Sequence, residues 1–144
     1  MPRVLEEVTN PSMDRDQIER RIVDWADRIA RLYAQIEQWL PTGWTVDRSH
    51  TTGMHEELMR QVGLGPRELP VLRLFHNGQL AGRIEPRGLW IIGANGRLDF
   101  FRGGEHFLIV DAAENFEPPI WRMASLSDRG RMTTFDQQAL IKAL

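Results

Sequence analysis

The sequence predicts an α+β fold, a long N-terminal amphipathic helix packed on a five- to six-stranded antiparallel meander sheet. Three observations predict it. Ile18, Ile22, Trp25, Ile29, Leu32, Ile36 and Trp39 recur alternately four and three positions apart, the spacing of one helical face. From Val71 the apolar period drops to two, and glycine-containing turns recur at short intervals. At 144 residues, 42% of them hydrophobic, the chain is of a size to bury one core without a disulfide or metal staple. One domain over 14–144 is therefore expected, after a lead-in segment at 1–13 in which Val4, Leu5 and Val8 are the residues able to dock.

The elements follow in order. Pro11-Ser12-Met13-Asp14 reads as a helix start, with Ser12 or Asp14 as the cap. The helix should run to about Leu40, where Pro41, Thr42 and Gly43 stop it. Asp24 precedes Arg28, and Asp27 precedes Arg31, by four residues, so both pairs read as exposed ion pairs. A short strand is expected at Trp44–Arg48. Thr51-Thr52-Gly53 reads as the cap of a second helix over His55–Val62, ended by Gly63, so a short helix is placed near 53–62. His76-Asn77-Gly78-Gln79 predicts a tight hairpin between strands Val71–His76 and Gln79–Glu85. Pro86-Arg87-Gly88 reads as a link, Asn95-Gly96 as a hairpin turn between Leu89–Gly93 and Arg97–Phe101, and Gly103-Gly104 as the turn into His106–Asp111. An acidic loop at Ala112–Pro119 leads to a sixth strand, Ile120–Ser125. Thr134-Phe135-Asp136, followed by Leu140, Ile141 and Leu144, predicts a capped C-terminal helix near 135–144.

Strand alternation divides the apolar residues into two sets. Leu72, Leu74, Leu80, Ile84, Leu89, Ile91, Leu98, Phe100, Phe107 and Ile109 share the parity of a face covered by the helix. Phe75, Trp90, Ile92, Phe101, Leu108 and Val110 have the opposite parity, and what covers them is the open question of the sequence. The strict heptad of the long helix invites a coiled coil. Ala26, Tyr33 and Leu40 widen its stripe, however, and Trp25 and Trp39 are bulky for a two-stranded seam, so packing on the chain's own sheet is expected.

Composition narrows the function classes. Without cysteine there is no disulfide, thiol nucleophile or thiolate metal site. Two acids interrupt Met1–Glu7 where a secretory signal would begin its apolar run, and no apolar run is long enough to span a bilayer, so a cytoplasmic protein without membrane contact is expected. The formal net charge of −2 creates no global attraction to nucleic acid. His50, His55, His76 and His106 lack the four-residue spacing that sets two imidazoles on one helical face. Ser12, Ser49, Ser125 and Ser127 lack a nucleophile's setting, and Gly63-Leu64-Gly65-Pro66 lacks the Gly-Lys-Ser/Thr of a phosphate loop. No catalytic residue, metal ligand or cofactor is assigned.

The expected function is that of a small binding or adaptor protein acting through protein–protein contacts, with a protein partner or a second copy in a homodimer. Phe75, Trp90 and Phe101 are its candidate contact residues, and Arg83 and Arg97 its rim charges. Two alternatives stand beside it. An enzyme or small-ligand protein would use a pocket between helix and sheet, with His76, His106, Asp99 and Asp111 as its polar groups. A single-stranded nucleic-acid binder would use the sheet's arginines, Arg73, Arg83, Arg87, Arg97 and Arg102, with Phe75, Trp90 and Phe101 as a stacking platform.

Overall fold

The computed structural model describes residues 11–91 and 94–144, so the expected docking of Val4, Leu5 and Val8 and the placement of Ile92 lie outside the described residues. The long helix, α1, spans Pro11–Trp39. It already includes residues 12 and 14, so its start falls upstream of the caps expected at Ser12 or Asp14. Its seam is buried as the spacing requires: Trp25, Ile29 and Ile36 have no exposed surface, Leu32 and Ile22 have almost none, and Ile18 and Trp39 pack at the two ends.

The remaining elements are β1 (Trp44–Asp47), β2 (Thr51–Met54), α2 (Glu57–Gln61), β3 (Arg67–Pro70), β4 (Leu72–His76), β5 (Gln79–Ile91), β6 (Ala94–Arg102), β7 (Glu105–Asp111), β8 (Trp121–Ser125), β9 (Thr133–Thr134) and α3 (Gln137–Ala143). Seven strands form an antiparallel sheet in the order β1-β4-β5-β6-β7-β8-β9, and β2 and β3 form a separate pair. The fold is α+β, with more strands than the five or six expected.

The three helices among the described residues contribute to one apolar core with the same sheet face. Met59 of α2 and Leu140 of α3 join the α1 seam and Leu72, Leu74, Ile84, Leu98, Phe100 and Ile109. Tyr33, the residue that widens the α1 stripe, is buried, and its hydroxyl lies 2.9 Å from the Pro70 carbonyl oxygen and 3.2 Å from that of Ile84. It thereby ties α1 to the backbone of two strands. Asp136 caps α3 by accepting from the Ala139 N–H at 2.9 Å, and Asn77 and Gly78, with φ of 52° and 81°, make the expected tight hairpin.

Four expectations are corrected. Pro86-Arg87-Gly88 does not separate two strands. It is a bulge within β5, where the register against β6 shifts between Pro86 and Gly88. Asn95-Gly96 is no turn, because both residues lie within β6. Gly96 is required there for a different reason: its φ is 103°, and a Cβ would stand 2.3 Å from the Trp25 ring. Thr51-Thr52-Gly53 is strand β2 rather than a cap, and α2 is correspondingly shorter than His55–Val62. Its N-cap residue, Glu56, makes no cap bond, because its carboxylate accepts from the Leu89 N–H at 2.7 Å and the Trp90 N–H at 3.3 Å, just beyond the bulge. Leu80, expected on the covered face, is 59% exposed: a register shift between Leu74 and Phe75 sets it opposite Phe75.

The Asp24–Arg28 pair also differs from expectation, since Arg28 is buried. Its Nε lies 2.6 Å from Asp24 and its Nη1 2.5 Å from Asp111, while Nη2 donates to the Glu117 carbonyl. The other oxygen of Asp111 accepts from the Ala113 and Ile120 N–H groups at 3.0 and 2.9 Å. One buried ion pair thus pins both ends of the acidic loop to the long helix.

Candidate functional site

The face of the sheet turned away from the helical core carries an organised set of charged and aromatic side chains, among which Asp99, Leu108 and Ala124 are buried. Cross-strand register builds it in rows. Asp47, Arg73, Arg83, Phe101 and His106 stand directly opposite one another across β1, β4, β5, β6 and β7. One repeat along, Glu85, Asp99, Leu108 and Ala124 form a second row. Arg97, Val110, Arg122 and Thr134 form a third. Beyond the first row, Thr45, Phe75 and Leu80 make an apolar end. Phe75, Phe101, Leu108 and Val110 are absent from the core cluster in which every described helix takes part, so no described helix covers this face.

The charges are paired, once within a row and twice between neighbouring rows. Arg73 holds Asp47 at 2.8 Å, Arg83 reaches Glu85 at 3.4 Å, and Arg97 holds Asp99 at 2.9 Å. The Arg73 guanidinium, aided by the Ser49 side chain and amide, depresses the Asp47 pKa to about 2. Arg83 also lies over the Phe101 ring, 4.1 Å from its centroid, and the His106 ring lies 4.3 Å from the same centroid. Arg73 lies over Phe75 at 5.2 Å. Each aromatic ring on this face therefore already carries an arginine.

The predicted contact residues divide. Phe75, Arg83, Arg97 and Phe101 share the face. Trp90 does not, because it packs against the core cluster and lines a cleft with Gln17, Ile18, Arg20 and Arg21 of α1. The bulge at Pro86–Gly88 precedes it directly and re-aims this end of β5. The polar candidates of the pocket alternative are dispersed. His76 is exposed and stacks on Trp44 at 4.6 Å, Asp111 is buried against Arg28 on the core side, and only His106 and Asp99 meet, at 3.2 Å. Among the described residues no three His, Asp or Glu side chains converge as metal ligands. No described helix is long and apolar enough to cross a membrane.

Sequence reasoning missed Asp47, Arg122 and Leu80 as members of the face. Glu85 and Asp99 are direct cross-strand neighbours, which only the register across the β5 bulge reveals. Compared with families of known proteins, with curated proteins and with solved structures, the chain matches none.

Proposed function

We propose that the protein is a small protein-binding module that acts through the helix-free face of its sheet, with a second copy of the chain as the partner. The supporting observation is the order of the rows. A row holding Arg73 and Arg83 is followed by one holding Glu85 and Asp99, then by one holding Arg97 and Arg122. Rows on one face of a sheet repeat at roughly 7 Å. Asp99 is buried, but a second sheet laid face to face and displaced by one row brings the accessible Arg83 over the accessible Glu85 in both directions, the self-complementarity that a twofold interface requires. The mixture of Phe, Leu and Arg, with Leu80 exposed at its end, has the composition of interface anchors and rim.

The same geometry disfavours single-stranded nucleic acid as the ligand. Stacking needs an open aromatic face, whereas Phe101 is already flanked by Arg83 and His106. Sedimentation velocity over a concentration series tests the proposal. Self-association is expected for the natural sequence and loss of it for Arg83→Glu. Concentration-independent monomer sedimentation of the natural sequence would remove the second copy as partner.

A further inference from the structure

The corner where the N-terminal half of α1 meets β5, β6 and the acidic loop has a different character from the sheet face. A cleft of about 290 Å³ lies there, walled by Ile18, Trp90 and Phe116 and edged by Arg20, Arg21 and Asn115. Asn115 continues it into a second groove, which Asn95 and Glu114 line. The walls are held in place: Phe116 adopts a φ of 66°, unusual for a residue with a side chain, in the loop that the Arg28–Asp111 pair pins.

Polar groups in this corner are unsatisfied in one direction only. Asn95 is 4% exposed and its Oδ1 accepts from Arg21 Nη2 at 2.7 Å, yet its Nδ2 has no partner among the described residues. Among the described residues Arg21 Nε is likewise a buried donor without an acceptor. Both are donors, and buried donors left unmatched are costly. Arg21 has no carboxylate within ion-pair distance among the described residues, since Asp24 is held by Arg28. Burial lowers its pKa; Asp24 opposes this and Arg28 adds to it. What the corner lacks is an anionic acceptor.

We propose that this cleft binds an organic carboxylate bearing an aromatic or branched apolar group, the carboxylate meeting Arg21 and Asn95 and the apolar part lying between Ile18, Trp90 and Phe116. Glu114 borders the Asn95 side, so the anion sits toward Arg21. Such a group occurs in a free aryl-alkyl acid and at the C-terminus of a peptide ending in an apolar residue. Proton–nitrogen correlation spectra of the full chain, titrated with phenylpropionate to millimolar concentration, test the site. Saturable shifts of the Asn95 side-chain amide and the Trp90 indole N–H are expected, with phenylpropanol weaker by about tenfold or more for want of charge-assisted bonds. Asn95→Asp keeps the acceptor that Arg21 uses, replaces the free donor with a charge and should abolish the shifts. Arg48→Gln, beside the C-terminal half of α1 where it pairs with Glu37, should leave them unchanged. A short peptide ending in Phe, with its C-terminus free or amidated, separates the two sources: stronger binding of the free form than of phenylpropionate assigns the peptide, and the reverse assigns the free acid. Absence of saturable shifts, equal binding of the alcohol, or binding that survives Asn95→Asp would overturn the proposal.

Discussion

Arg28 and Asp111, separated by 83 positions in the chain, meet at 2.5 Å in the interior, and neither has more than a trace of exposed surface. Arg28 reaches the loop carbonyl of Glu117 and Asp111 accepts from Ala113 and Ile120, so this pair sets the path of the 112–120 segment. Removing one partner leaves the other charge buried and unpaired. Arg28→Met should destabilise the fold by about 3–5 kcal/mol in urea denaturation. Adding Asp111→Asn, which keeps an acceptor for the two N–H groups, should recover part of that loss. A double variant no more stable than Arg28→Met alone would contradict the charge-burial account.

At Gly96 the sheet backbone lies directly against the Trp25 ring of α1. An added Cβ would overlap the Trp25 ring, and φ of 103° strains any side chain. Gly96→Ala should therefore cost about 3 kcal/mol or more, combining overpacking with backbone strain. Ala at Gly78 is strained by its φ of 81° alone, since nothing lies within 4 Å of a Cβ there, and should cost less. Equal losses in thermal denaturation would refute the role given to Trp25.

Tyr33 offers a buried hydroxyl to the carbonyls of Pro70 and Ile84, and burial raises its pKa well above the ordinary phenol value. Tyr33→Phe conserves the ring but leaves those carbonyls without this donor. A loss of about 1–2 kcal/mol is expected. An unchanged denaturation midpoint would show the hydroxyl to be dispensable.

Asp47 provides a pH-dependent contribution whose sign follows from its depressed pKa. Folded, it titrates at about 2 because Arg73 and Ser49 hold the carboxylate; unfolded, it titrates near the usual value of about 4. Its contribution is therefore complete above pH ~4 and lost as pH falls toward 2. Arg73→Gln should raise the Asp47 midpoint toward the ordinary range in a carboxylate NMR titration. A midpoint unmoved by that change would deny the pairing.

Much of the fold was legible because local periods survive in the structure. The α1 seam needs only the 3.6-residue repeat, the Asn77-Gly78 hairpin only its two positive φ values, and the Asp136 cap only an accepting side chain three residues before the Ala139 N–H. The errors arose where one residue changes the register. The shift at Leu74–Phe75 sends Leu80 to the far face, and that at Pro86–Gly88 joins two expected strands into β5. A Pro-Arg-Gly sequence carries the same local signal in a bulge as in a turn. Arg28 reads as a surface residue because its Asp24 partner is four positions away, whereas its burial depends on Asp111 and Glu117, distant in sequence. The candidate face was half legible for the same reason: parity identified Phe75 and Phe101, but pairing of Arg83 with Glu85 beside Asp99 emerges only from the assembled register.

Under the proposed function the rows of the helix-free sheet face recognise themselves. Two charge-reversed variants, alone and mixed, put this self-recognition to the test. Arg83→Glu alone and Glu85→Arg alone should each sediment as monomers, since each sets like charges against one another across the twofold. An equimolar mixture should restore a species of twice the mass, because one variant supplies the acid that the other has lost. If the natural sequence self-associates while both single variants associate as it does, or the mixture remains monomeric, this face is not the interface.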